Sequence, residues 1–142
     1  MKRTSSILAA SLLAFWAGSA FSQDGKGPRV VLQGYDPVAY FIEQKPVKGS
    51  LEYEKEFDGA RYRFSSARNL SMFSADPERY EPQFAGWCAM SMGMGKRVEG
   101  DPTAWKIIDG KLYVFGSARG LAAAEKDPTI VARSREAWKA SK

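Results

Sequence analysis

Residues 57–70 read FDGARYRFSSARNL, and residues 108–121 read IDGKLYVFGSARGL. The two segments align without a gap and share an Asp-Gly pair, a Tyr-x-Phe alternation, a Ser-Ala-Arg triplet and a final leucine. An Asp-Pro pair follows each copy in the same register, at Asp76 and at Asp127. Internal similarity of this kind indicates a repeated structural unit. The chain is therefore predicted to contain two similar units, and the reuse of common turn chemistry in both halves is the alternative.

Each unit predicts a β-hairpin. An Asp-Gly pair between alternating apolar residues favours a type I′ turn, because aspartate and glycine tolerate the positive φ angles that this turn needs. Strands are expected at residues 51–57 and 61–64 in the first unit, and at residues 106–108 and 112–115 in the second. Leu51 is expected to share the core face of its hairpin, because side chains alternate between the two faces of a strand.

A helix is predicted after each hairpin. Ser66 and Ser117 stand where a helix N-cap residue would accept free backbone N–H groups. The four Asp-Pro pairs predict helix starts, with proline at the first helical position, and they begin at Asp36, Asp76, Asp101 and Asp127. The expected fold class is α+β, a small single domain of two similar hairpin-helix units joined by a Cys/Met-bearing helix or loop.

The segment between the units reads WCAMSMGM from Trp87 to Met94 and contains the only cysteine and three of the five methionines. In an extended chain the four sulfur side chains would project to one side. In a helix they split into two pairs one turn apart, Cys88 with Met92 and Met90 with Met94. Glycines 86, 93 and 95 oppose a long helix, so we predict a short helix followed by a loop after Gly93.

Thiolate and thioether sulfur are soft ligands of the kind that bind Cu(I). The sequence therefore predicts a metal site whose candidate ligands are Cys88, Met90, Met92 and Met94. The alternative is that the methionines fill an irregular part of the core and that Cys88 is a small buried side chain. A single cysteine cannot form an internal disulfide.

The N-terminal residues resemble a secretory signal. Lys2 and Arg3 precede an apolar run from Ile7 to Trp16, and small residues lie before a cut predicted after Ser22. The expected domains are a signal peptide at residues 1–22 and one domain at residues 23–142. The apolar run is short for a membrane anchor. We expect a periplasmic or secreted protein with no transmembrane segment in the mature chain.

Composition excludes several classes of function. The chain has no histidine, so it cannot form a Ser-His-Asp relay or a histidine-bearing zinc site. Glu52, Glu54 and Glu56 alternate along a predicted strand and are assigned to its wet face. Without residues 1–22 the chain has 19 basic and 16 acidic side chains, a net charge of +3. This mild charge is dispersed, and we expect no nucleic-acid partner.

A set of motifs resembles the exported YHS-domain proteins. The matching segments are Gly34–Phe41, Lys45–Gly49, Asp58-Gly59 with Phe64–Ala67, Asp76–Ala89, and Asp101–Trp105 with Val114. The resemblance implies metal handling, because such domains occur beside heavy-metal transport proteins. It also places Cys88 in a Gly-x-Cys-Ala motif, and some relatives are selenoproteins, which suits a redox-reactive position. The chain departs from the family in lacking histidine and paired cysteines, which favours Cu(I), or no metal, over Zn(II).

Three hypotheses about function remain from the sequence. The first is an exported metal-binding module that holds Cu(I) through Cys88 and the nearby methionines. The second is a thiol-redox protein in which Cys88 reacts, and the third is a non-catalytic interaction domain. We expect a binding protein rather than an enzyme, with a metal ion as its partner. The sequence leaves the oligomeric state and any protein partner open.

Overall fold

A computed structural model describes residues 27–142. The predicted signal peptide, residues 1–22, lies outside the described residues. Within the described part of the chain, no helix has the length and apolar character needed to cross a membrane. The described residues form helices and two small antiparallel sheets of two strands each, which confirms the predicted α+β class.

The same order of elements occurs twice. The first unit has a 3-10 turn, a short helix, a hairpin and two helices: Val31–Gly34, α1 (Ala39–Ile42), β1 (Ser50–Phe57), β2 (Ala60–Phe64), α2 (Ala67–Ala75) and α3 (Pro77–Tyr80). The second unit has the corresponding elements: the turn Gln83–Gly86, α4 (Ala89–Gly93), β3 (Asp101–Ile108), β4 (Lys111–Phe115), α5 (Ala118–Lys126) and α6 (Thr129–Ala140). The predicted pair of hairpin-helix units is therefore present. The Cys/Met-bearing helix does not join them, because α4 belongs to the second unit as the counterpart of α1.

Both hairpins turn at their Asp-Gly pairs. The φ angles are 49° and 73° at Asp58 and Gly59, and 52° and 72° at Asp109 and Gly110, as a type I′ turn requires. Both hairpins also have a register shift at the same place, between Ser50 and Glu54 in β1 and between Asp101 and Trp105 in β3. This irregularity leaves Leu51 71% exposed. Its predicted core position is wrong because the shift interrupts the alternation of faces.

The helix starts follow the predicted capping with two exceptions, at Asp76 and Asp101. Asp76 precedes helix α3 as predicted, but its side chain makes no capping hydrogen bond. The Oγ atoms of Ser66 and Ser117 accept the N–H groups of the residues three positions later, 3.1 Å away in both units. Asp127 Oδ1 accepts the N–H of Thr129, the first residue of α6. Asp101 instead begins strand β3, so the helix predicted there is wrong. A proline is tolerated in this strand because each sheet has only two strands, both of them edges.

The two units share one of the two hydrophobic cores. The first core contains Tyr40, Phe64 and Phe73 from the first unit together with Leu112 and Val114 from the second. The Tyr40 hydroxyl donates a hydrogen bond to the carbonyl of Pro102, 2.8 Å away. Burial raises the pKa of Tyr40 above its ordinary value, so the hydroxyl keeps the proton that it donates across the units. The second core lies between β4, α4 and α6 around Met92 and Phe115.

Candidate functional site

The sulfur-bearing segment forms a short helix. Helix α4 covers Ala89–Gly93, Cys88 is its N-cap residue, and the chain leaves the helix at Met94. The N–H of Met92 donates to the carbonyl of Cys88 at 3.0 Å, which places these two residues one turn apart. The predicted helix with a loop after Gly93 is therefore observed, and the ladder that an extended chain would form is not.

The helix divides the four candidate ligands into two pairs. Cys88 and Met92 are buried, with 4% and 2% of their surface exposed. Met90 is partly buried, Met94 is 63% exposed, and both line an open groove of about 420 Å³ beside Ile130 and Arg133. The structure thus places one pair inside the fold and the other in a surface groove, and it does not bring all four side chains to one pocket.

The surroundings of Cys88 are best understood from the first unit, where Asp36 has the corresponding place. Both residues come two positions after the glycine that ends a 3-10 turn. The backbone N–H of Asp36 donates to Val47, and that of Cys88 donates to Val98. These matched hydrogen bonds identify Asp36 and Cys88 as equivalent positions of the repeat.

Asp36 is a fully buried carboxylate with five hydrogen bonds. Its Oδ1 accepts the N–H groups of Val38 and Ala39, at 2.8 and 3.3 Å. Its Oδ2 accepts the N–H and the hydroxyl of Ser65, both at 2.8 Å, and the Nδ2 of Asn69 at 2.7 Å. The first unit therefore provides a built position for an anionic side chain at the start of α2.

In the second unit a thiol takes the place of the carboxylate and keeps one of its five hydrogen bonds. Cys88 Sγ accepts the N–H of Gly116 at 3.1 Å, and Gly116 is the repeat equivalent of Ser65. Gly120 corresponds in the same way to Asn69, so both side-chain donors of the first unit are absent around the thiol. Gly116 is exposed, and a Cβ atom on it would lie 3.4 Å from Sγ. Gly116 therefore adjoins the thiol at the surface and has no side chain to cover it.

Two further contacts fix the helix that carries the sulfur atoms. The Ser134 hydroxyl of α6 donates to the carbonyls of Ala89 and Ile130, which holds α4 against α6. On the other side, the Arg29 guanidinium lies 3.6 Å from the centre of the Trp87 ring and pairs with Glu99. Cys88 thus lies between helix α4, which is hydrogen-bonded to α6, and Trp87, whose ring is covered by Arg29.

The donor set limits which metal ions fit. Among residues 27–142 there is no cluster of three or more His, Cys, Asp or Glu side chains that could hold a metal ion. The soft donors of the Cys88–Met94 segment are one thiol and three thioethers. This set does not match the needs of Zn(II) or of hard cations, and it is compatible with a soft monovalent ion.

The equivalence of Asp36 and Cys88 was not found from the sequence. Equivalent residues of the two units are 52 positions apart at Asp36 and 51 positions apart from Val47 onward. The residues at the compared position also differ in chemistry, a carboxylate in one unit and a thiol in the other. The available signal was the pair of glycines, Gly34 and Gly86, each two residues before the position of interest.

The family comparison gives one match. The model of the YHS domain matches residues 38–84, which cover most of the first unit and end in the turn before Cys88. No curated protein and no solved structure matches the chain.

Proposed function

Since the chain is a YHS domain-containing protein, we propose that it is an exported module that binds Cu(I), with the Cys88 thiolate as the anionic ligand and Met92 as the second soft donor. One observation carries the proposal: Cys88 Sγ has the place that the Asp36 carboxylate has in the first unit, and it accepts a backbone N–H there. The proposed export rests on the signal-like residues 1–22.

The sulfur of Cys88 accepts one backbone N–H, that of Gly116, at 3.1 Å. The first unit places the Asp36 carboxylate among donors at the same point of the repeat. A thiol loses its proton when it binds a metal as a thiolate. Cu(I) prefers such soft sulfur ligands, and Met92 follows one turn later on the same helix.

Met90 and Met94 are a separate pair in this proposal. They line the groove beside Arg133, and a guanidinium next to them opposes the approach of a cation. The four methionine and cysteine residues that the sequence nominates are therefore divided. Cys88 and Met92 bind the ion, and Met90 and Met94 contribute little to its affinity.

A competition titration with Cu(I) and a chromogenic chelator tests this assignment. We expect the wild-type protein to bind one equivalent of Cu(I), and we expect Cys88→Ser to weaken binding by roughly a hundredfold because it removes the anionic ligand. Met92→Leu nearly conserves side-chain volume, so we expect it to weaken binding while the fold is retained.

The double variant Met90→Leu/Met94→Leu is the matched control, because it removes two thioethers from the same segment of the chain outside the proposed site. We expect its Cu(I) affinity to equal that of the wild type. Equal affinities for the wild type and Cys88→Ser would overturn the proposal. Loss of binding in the double variant alone would place the ion in the surface groove instead.

A thiol-redox role for Cys88 is the second candidate, and the exposed Gly116 directly above Sγ favours it. A peroxide would transfer one oxygen atom to the thiolate, giving a sulfenic acid, while the rest of the peroxide leaves as water or an alcohol. Mass spectrometry after mild peroxide treatment should find one added oxygen on Cys88. Gly116→Val should slow this reaction because its side chain covers Sγ. An unmodified thiol in the folded wild-type protein would remove this candidate.

A further inference from the structure

The two units differ in how they fill the space between hairpin and helices. In the first unit this space contains three aromatic side chains, those of Phe57, Phe73 and Tyr80. The repeat register assigns Ile108, Ala124 and Val131 to the same positions in the second unit. Every one of these replacements is smaller, and one of them reduces a phenyl ring to a methyl group.

Phe73 has a central place in the first unit. Its side chain is fully buried, and its ring centre lies 5.7 Å from that of Phe57, 4.8 Å from that of Tyr62 and 5.1 Å from that of Phe64. Aromatic pairs at such distances stabilise a core beyond the area that they bury. The first unit is thus filled by a ring that the second unit lacks.

The second unit has a pocket at this place. Its volume is about 270 Å³, and Ile108, Ala124 and Val131 all line it together with Phe115 and Leu121. An apolar cavity of about 150 Å³ is large enough to bind benzene, and ligand pockets begin near roughly 300 Å³. The pocket is therefore of a size for a single ring and too small for most larger ligands.

Charged side chains stand at the rim of the pocket in balanced pairs. Lys106 Nζ lies 2.7 Å from Glu125 Oε1, and Arg135 Nη2 lies 3.8 Å from Asp109 Oδ2. Two cations and two anions create no net preference for a charged ligand. They offer both hydrogen-bond donors and acceptors to a neutral hydroxyl group at the rim.

We propose that this pocket binds a small monocyclic phenol, whose ring takes the place in the second unit that the Phe73 ring has in the first, with its hydroxyl at the charged rim. The choice of an aromatic ligand follows from the repeat, because the first unit accommodates the Phe73 ring at the position matched by Ala124 in the second unit. The proposal is independent of Cys88 and of any metal, since neither Cys88 nor a methionine lines the pocket.

Ligand-detected NMR with p-cresol as the probe tests the proposal on the intact mature chain. We expect saturable binding to the wild-type protein and intermolecular NOEs from the ring protons to the methyl groups of Ala124, Val131 and Ile108. Ala124→Phe inserts the side chain found at the matched position of the first unit. We expect it to weaken p-cresol binding by at least about tenfold, because its ring fills the same space.

Ala122→Phe is the matched control, because Ala122 lies on the same helix and is exposed, so an equal gain in aromatic surface leaves the pocket open. We expect it to bind p-cresol as the wild type does. The absence of saturable binding to the wild type would overturn the proposal. Unchanged binding by a folded Ala124→Phe variant would also overturn it. If that variant fails to fold, the NOEs from p-cresol to the wild-type protein test the site. NOEs to residues elsewhere on the protein would contradict the assigned pocket.

Discussion

Asp36→Ala should lower the free energy of unfolding by about 3–5 kcal/mol. The carboxylate is fully buried and accepts five hydrogen bonds. Truncation removes the acceptor of the backbone N–H groups of Val38, Ala39 and Ser65 and of the Ser65 hydroxyl. It leaves Asn69 Nδ2 with only its 3.3 Å hydrogen bond to Ser65 Oγ. Unpaired buried donors cost far more than a typical hydrogen bond contributes. Chemical denaturation followed by circular dichroism measures the loss.

Asp127→Ala is the control for this prediction. Asp127 Oδ1 also accepts a backbone N–H and a hydroxyl, both from Thr129, but its side chain is exposed to solvent. Water can replace the lost acceptor there, so we expect a much smaller loss of stability. Equal losses of unfolding free energy in the two variants would contradict the prediction that the buried hydrogen bonds of Asp36 contribute more to stability than the exposed ones of Asp127.

Gly49→Ala should destabilise the protein by about 3 kcal/mol, which is the second large effect. A Cβ atom on Gly49 would lie 2.6 Å from the carbonyl carbon of Arg63 and 2.8 Å from the carbonyl oxygen. The obstacle is backbone of β2, which cannot rotate away as a flexible side chain could. Gly49 also donates its N–H to the carbonyl of Gly34. A shift of Gly49 away from β2 would therefore disrupt its hydrogen bond to the turn Val31–Gly34. Thermal and denaturant unfolding measure the effect.

Gly120→Ala is the matched control, because it adds the same methyl group where the nearest atoms lie at ordinary distances of 3.7 and 3.9 Å. Alanine has a higher helix propensity than glycine, so this variant should gain about 0.5–1 kcal/mol in helix α5. A Gly49→Ala variant as stable as the wild type would mean that Gly49 and β2 can move apart without loss of stability. It would contradict the importance of the close approach between Gly49 and the Arg63 backbone.

The hairpins were the part of the fold that the sequence predicted best. Asp58-Gly59 and Asp109-Gly110 require a conformation that few residue pairs tolerate, so their identity determines the turn. Leu51 was placed on the wrong face because the register shift in β1 follows from packing between elements, which a local pattern does not record. The same limit explains Asp101-Pro102, whose local chemistry suits a helix start but whose partner in the fold is Phe115 of β4.

The candidate site was predictable in its local conformation and not in its surroundings. Gly93 limited the helix as expected. Whether a sulfur atom faces the core or the solvent depends on the position of α6, which packs against α4 from a distant part of the chain. The correspondence between Asp36 and Cys88 has only a weak signal in the sequence, because the two copies differ in length between the 3-10 turn and the hairpin and because glycines stand at the equivalents of Ser65 and Asn69.

The shared core has a consequence for cooperativity. The interior of the first unit is completed by Leu112 and Val114 from the second hairpin, and a two-stranded sheet by itself is marginally stable. The residues that match the family model, 38–84, therefore do not delimit a part of the chain that folds by itself. Denaturation of the described residues should proceed in a single step, because the unfolding of either unit removes side chains that complete the core shared with the other unit.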